Sequence, residues 1–111
     1  MFQCSVRTWY DETLKQSALL ININSPNVDL GCVVYPNATE LREFVAALTN
    51  RGRCVLFPPS DCEECHRELR LDEYWLTWQN NIGKGRWEGE GHWRISVDDI
   101  RSPLLEALKR F

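Results

Sequence analysis

The sequence of 111 residues contains no long apolar run. No window approaches the roughly 20 apolar residues that a membrane-spanning helix needs. The opening residues, MFQCSVRTWYDE, do not combine a basic segment with an apolar one as a secretory signal peptide does. We therefore expect a cytoplasmic protein without a membrane partner. In that reducing compartment, and with an odd number of cysteines, five, a structural disulfide framework is not expected.

The sequence also lacks an excess of positive charge. The chain has 13 Lys and Arg residues against 16 Asp and Glu residues, which gives a net charge of −3. A protein that binds nucleic acid usually needs a basic stripe to neutralise phosphates, and the sequence contains none. Nucleic acid is therefore not an expected partner.

Signatures of catalysis and of cofactor binding are missing as well. The glycines of IGKGRWEGEG fit neither common register of a phosphate-binding loop, and Glu88 and Glu90 among them would repel phosphate. Cys65 and His92 could be paired as nucleophile and base, but the flanking residues carry no nucleophile signature. We therefore expect no enzyme activity and no cofactor.

The stretch SDCEECH, residues 60–66, does carry a pattern with chemical meaning. Cys62, Cys65 and His66 match the form of covalent haem attachment, which requires export, and they offer three zinc ligands where a structural site needs four. A redox pair needs an electropositive setting, whereas the neighbouring acids raise a thiol pKa. The pattern favours an exposed acidic loop without required chemistry. A small zinc-binding or redox protein that uses these three residues is the alternative.

The first third of the chain alternates with the period of β-strands. The segments FQCSVRTWY, ALLINI and VDLGCVVY predict three strands of an antiparallel meander joined by polar turns. Cys4, Cys32 and Cys54 fall on the apolar sides of predicted strands. There a free cysteine usually acts as a small hydrophobic residue.

The period then changes to that of a helix. Asn37 and Glu40 have the spacing of a capping box, an apolar stripe follows, and Gly52 supplies a stop, so the pattern predicts a central helix at about 38–51. RCVLF follows as a short strand that two prolines end.

The second half predicts more strands and a terminal helix. RELRLDEYWLTWQNNI is typical of a long strand, and the later alternation of Trp93, Ile95 and Val97 is typical of a hairpin that returns on it. Ser102 as N-cap and Pro103 at the first position predict a C-terminal helix at about 102–110. The expected fold is one α+β domain over residues 1–111. It has a mainly antiparallel sheet of about five to six strands with both helices packed on it.

Acids and tryptophans concentrate in this second half. Six acids stand against two arginines between positions 61 and 73. Trp75 and Trp78 fall on opposite faces of a regular strand, and we assign Trp75 and Trp93 to the core and Trp78 and Trp87 to an exposed surface. Aromatic anchors with acids that steer a basic partner are typical of a protein interface. The candidate partner-binding residues are Asp61, Glu63, Glu64, Glu68, Asp72, Glu73, Trp78 and Trp87. The alternative is that these acids form only a solvated face.

The segment LDEYWLTWQNNIGKGRWEGEGHWRISVDDIRSPLLEALKRF joins a Trp-rich hairpin to a terminal helix. In this, and in its whole-chain pattern, the sequence resembles the small immunity proteins of bacterial polymorphic-toxin and contact-dependent growth-inhibition systems. The resemblance implies a monomer that binds a cognate toxin domain in a 1:1 complex and blocks its active site without turnover. Many such toxins are nucleases with cationic clefts, which an acidic surface can occupy as phosphate would.

Overall fold

The computed structural model describes residues 2–56, 66–81 and 93–110. The elements in these ranges are β1 (Gln3–Asp11), β2 (Gln16–Ser25), β3 (Val28–Val34), α1 (Ala38–Asn50), β4 (Cys54–Leu56), β5 (His66–Leu71), β6 (Trp75–Asn81), β7 (Trp93–Ser96) and α2 (Val97–Lys109). The strands form two antiparallel sheets in the orders β1-β2-β3 and β4-β5-β6-β7. The predicted α+β class is confirmed, and the described strands divide between two sheets where the sequence predicted one.

The three-stranded sheet has one apolar face because alternate residues of each strand point to the same side. Val6, Ile21 and Cys32 are opposite one another across β1, β2 and β3, and the neighbouring rows repeat this pattern. Ile21 is fully buried and Cys32 nearly so, whereas Val6 on the outer strand is only partly buried. The apolar face of this sheet forms one wall of the core.

The four-stranded sheet follows the same rule with larger side chains. Leu69, Trp78 and Trp93 form one inward row across β5, β6 and β7, and all three are buried. The next inward row repeats this arrangement with Leu71, Leu76 and Ile95. Residues between these rows therefore point away from the core.

The central helix α1 confirms its predicted capping box. The Asn37 side chain accepts the backbone N–H of Glu40 at 2.7 Å, and the Glu40 carboxylate accepts the N–H of Asn37 at 3.0 Å. These two bonds satisfy donors that a helix start leaves without intrahelical partners. At the other end Arg51 adopts a left-handed conformation with φ of 57°. The helix ends at Asn50, one residue before the predicted end.

The terminal helix α2 begins earlier than predicted. Its N-cap is Ser96, so Pro103 lies inside the helix and Ser102 is not a cap. Val97 fits both a strand alternation and a helical stripe, and the helical stripe prevails. The buried residues of this stripe are Val97, Ile100, Leu104 and Leu108. Pro103 has no N–H to donate within the helix, and burial of the stripe offsets that loss.

One hydrophobic cluster joins both sheets and both helices. α2 packs against β1 and α1, and α1 packs against β4. Arg101 of α2 donates its Nε–H to the carbonyl oxygen of Leu48 in α1 at 3.1 Å. Among the described residues, no helix has the length and apolar character needed to cross a membrane.

Candidate functional site

The outer face of the four-stranded sheet carries a group of polar and aromatic side chains. Arg70, Thr77 and Arg94 are opposite one another across β5, β6 and β7, on the side away from the buried rows. Trp75 belongs to the next outward row, where it is opposite Ser96. We call the surface formed by Arg53, Arg70, Asp72, Glu73, Tyr74, Trp75 and Arg94 the outer face.

The turn between β5 and β6 is built around Asp72. Its Oδ1 accepts the backbone N–H groups of Tyr74 and Trp75, each at 2.7 Å, and its own N–H donates to the carbonyl oxygen of Trp75 at 3.0 Å. This bonding fixes the turn and leaves the side chain of Tyr74 67% exposed. The same turn therefore presents an aromatic ring to solvent from a fixed backbone.

The groups around Asp72 also stabilise its negative charge. Its partial burial acts to raise the pKa of the carboxyl. The two backbone N–H groups, together with the nearby Arg53 and Arg94 guanidinium groups, outweigh that effect and hold the pKa below its usual value. Asp72 is therefore ionised at neutral pH and attracts the arginines around it.

The other two acids of this surface are paired with arginines. Arg53 lies 3.6 Å from the Glu73 carboxylate, and Arg70 donates to both carboxylate oxygens of Glu68, at 3.1 and 3.3 Å. Glu68, Asp72 and Glu73 thus lie among three arginines. The described part of the predicted acidic surface is charge-balanced rather than net acidic, because arginines before β4 and in β5 and β7 meet these acids.

Arg94 and Trp75 form a stacked pair at the centre of the outer face. The guanidinium carbon of Arg94 lies 3.9 Å from the centre of the Trp75 ring, within the range of a cation–π interaction. The ring therefore holds the guanidinium group of Arg94 against the sheet surface. The same surface has a groove of about 330 Å³, lined among others by Arg53, Arg70 and Tyr74.

Of the six acids predicted for the site, two lie on the outer face, one is buried and three lie outside the described residues. Asp72 and Glu73 lie on the outer face. Glu68 is only 2% exposed, so it cannot contribute the exposed charge that was predicted for it. The positions outside the described residues are Asp61, Glu63, Glu64 and Trp87.

The predicted exposure of Trp78 is wrong. Trp78 is 5% exposed, since its register opposite Leu69 and Trp93 directs its ring into the core. Trp75, which was expected in the core, lies instead on the outer face beneath Arg94. Of these two tryptophans, Trp75 is therefore the one on the outward side of the sheet.

Three of the five cysteines, Cys4, Cys32 and Cys54, lie within the described residues. Cys62 and Cys65, the cysteines of the zinc or redox alternative, lie outside the described residues. Burial raises the pKa of the Cys32 thiol to about 12 and that of Cys4 to about 11, and it also raises the pKa of Cys54. These three thiols pack in or against the core as small apolar groups, as predicted.

A second exposed surface, which the sequence did not single out, lies at the end of the β1–β2 hairpin. Trp9 is 45% exposed and Tyr10 is 59% exposed.

Among the described residues, no three His, Cys, Asp or Glu side chains lie close enough together to hold a metal ion. Comparison of the chain with models of protein families, with curated proteins and with solved structures finds no match.

Proposed function

We propose that this chain is an immunity protein that acts in the cytoplasm. It binds a cognate bacterial toxin domain, one toxin domain per chain, and blocks the toxin's active site without turnover of its own. The observation that supports this proposal is the grouping of Tyr74, Trp75 and Arg94 on the outer face. Tyrosine, tryptophan and arginine are the residue types that contribute most binding energy at protein interfaces.

Part of this group is ordered before a partner binds. The Asp72 hydrogen bonds already fix the backbone that carries Tyr74, and the Trp75 ring already holds the Arg94 guanidinium. A surface ordered before binding avoids part of the entropy cost of association. The outer face is therefore suited to tight binding although the groove on it is small.

The charge pairs around the aromatic residues supply specificity. Arg53, Arg70 and Glu73 all line the groove, so a partner that inserts a side chain there must satisfy both signs of charge. A partner with unmatched charges would leave some of these groups desolvated and unpaired, at a cost of several kcal/mol. This arrangement favours one cognate partner over general binding.

Three acids outside the described residues indicate the class of toxin. A cationic nuclease cleft would be attracted by Asp61, Glu63 and Glu64, which directly precede β5, more than by the balanced outer face. A nuclease is therefore the toxin class that best matches the sequence, and the outer face supplies short-range contacts.

Co-expression with the product of the neighbouring reading frame tests the proposal. The C-terminal domain encoded there is produced with and without this chain in the same bacterial host. We expect growth arrest by that domain alone, relief of arrest when this chain is present, and co-purification of the two at equal stoichiometry. Growth arrest that this chain does not relieve, with no complex recovered, would show that the proposed function is wrong.

A further inference from the structure

The outer edge of β1 lacks a strand partner in the described part of the chain, since the sheet order is β1-β2-β3. Residues 2–6 lie beside α2 and share a groove with it. Residues 7–11 extend beyond this groove, and Thr8, Trp9 and Tyr10 are exposed on alternate faces. An exposed strand edge carries unpaired backbone N–H and C=O groups and is a template for another strand.

We propose that residues 7–11 pair antiparallel with the same residues of a second copy of this chain, about a two-fold axis at Trp9. In this register Trp9 is opposite Trp9 of the second copy, and Thr8 is opposite Tyr10. Arg7 of each copy is opposite Asp11 of the other, so one Arg–Asp ion pair forms at each end. Arg7, Trp9 and Asp11 all lie on one face of β1, because they alternate along the strand.

The charges of Arg7 and Asp11 favour this register over registers with the axis at Arg7 or at Thr8. An axis at Arg7 would place two arginines directly opposite each other, which is destabilising. An axis at Thr8 would leave Arg7 opposite an aromatic ring and Asp11 opposite Ser5, without an ion pair. The axis at Trp9 joins aromatic with aromatic and cation with anion, and both kinds of cross-strand pair stabilise antiparallel sheets.

The groove beside α2 accommodates the same arrangement. With the axis at Trp9, the turn at residues 12–15 of the second copy lies alongside residues 3–6 of the first. The groove there has a volume of about 480 Å³ and includes Cys4, Val6, Pro103 and Ala107 in its lining. The turn carries Leu14, an exposed apolar side chain that would meet the apolar part of this groove, whose lining also includes Glu106 and Arg110. The two three-stranded sheets would then continue as one sheet across the axis.

This self-association uses a different sheet from the outer face, so it leaves the proposed toxin-binding surface uncovered and does not depend on it. It departs from the monomer expected from the sequence. The role of Asp11 within its own chain is compatible with pairing. Its Oδ1 accepts the N–H groups of Thr13 and Leu14 and its Oδ2 accepts the Tyr35 hydroxyl at 3.4 Å, and carboxylate oxygens can each accept more than one bond.

Sedimentation velocity of the purified full chain tests the proposal with a charge exchange. We expect the wild-type protein to shift with increasing concentration from 13.0 kDa toward twice that mass. Arg7→Asp alone and Asp11→Arg alone should each remain monomeric, because each places like charges opposite each other. An equal mixture of the two variants should recover the dimer, because each cross-strand pair then joins an aspartate of one variant to an arginine of the other.

Circular dichroism identifies any variant that does not fold. Asp11→Arg removes the acceptor for Thr13 and Leu14 and is the variant at risk, whereas no ion pair joins Arg7 to a described carboxylate. If Asp11→Arg does not fold, loss of the dimer in Arg7→Asp decides the matter. A wild-type protein that stays monomeric throughout, or an Arg7→Asp variant that dimerises as the wild type does, would overturn the proposal. So would a mixture of two folded variants that stays monomeric.

Discussion

The indole Nε1–H of Trp93 donates a hydrogen bond of 3.0 Å to the carbonyl oxygen of Gly31. Trp93 begins β7 in the four-stranded sheet, and Gly31 lies in β3 at the edge of the three-stranded sheet. The two residues are 62 positions apart in sequence. This contact holds the sheet that carries the outer face against the rest of the core.

Replacing Trp93 with Phe should lower the free energy of unfolding by about 1–3 kcal/mol, because the ring is shortened and the Gly31 carbonyl loses its donor. Urea unfolding followed by circular dichroism measures the change. Trp75→Phe is the matched control, since Trp75 is only partly buried and stacks on an exposed arginine. Equal losses in the two variants would contradict the role assigned to the Trp93–Gly31 bond.

Two acids of the same sequence run should respond very differently to charge reversal. Glu68→Lys places a buried cation beside Arg70 and should cost about 3 kcal/mol or more of unfolding free energy. Glu73→Lys affects a surface pair at 3.6 Å, and its effect should stay within about 1 kcal/mol. Thermal and urea unfolding of both variants check this difference. Similar stabilities would mean that Glu68 is not a structural carboxylate.

The lowered pKa of Asp72 predicts a pH-dependent contribution to stability. The folded state favours the carboxylate, so the stabilisation is present above the unfolded pKa of about 4 and is lost as pH falls through the folded value. Asp72→Asn should therefore be less stable than wild type at pH 7. The difference should shrink as the pH falls below about 4. Asp72→Ala, which also loses the acceptor for Tyr74 and Trp75, should stay less stable at low pH.

The raised thiol pKa values predict slow alkylation in the folded protein. At pH 8 the Cys32 thiol, with its pKa raised from 9.0 to about 12, has on the order of a thousandfold less thiolate than an unperturbed cysteine. Cys4, with a pKa of about 11, should be protected less strongly. Peptide mass spectrometry after iodoacetamide treatment, with and without urea, measures both rates. Native rates equal to the unfolded rates would contradict the buried placement.

Signals within a few residues were sufficient to predict α1. Asn37 and Glu40 are three positions apart, and their reciprocal hydrogen bonds depend on little outside this turn. The start of α2 was harder, because Val97 satisfies a strand period with Ile95 and a helix period with Ile100. Burial against the core, which depends on the whole fold, decides between the two.

The composition of the outer face depends on strand pairing and could be predicted only in part. Alternation shows that Trp75 and Trp78 lie on opposite faces, but only the register of β6 with β5 and β7 shows which one points inward. The charge balance has the same origin. Arg53 lies 20 positions from Glu73 in sequence, and a count of charges along the chain does not show that they meet.

The central claim is that the outer face binds the toxin domain. Its most direct measurement is the Kd of that domain, by isothermal titration calorimetry, for wild type and for three single variants. Tyr74→Ala and Arg94→Ala should each raise the Kd at least tenfold, because each removes a large side chain of the proposed binding surface. Arg42→Ala, which removes an exposed arginine on α1, is the control and should leave the Kd unchanged. A folded Tyr74→Ala and a folded Arg94→Ala that bind the toxin as tightly as wild type would contradict the claim.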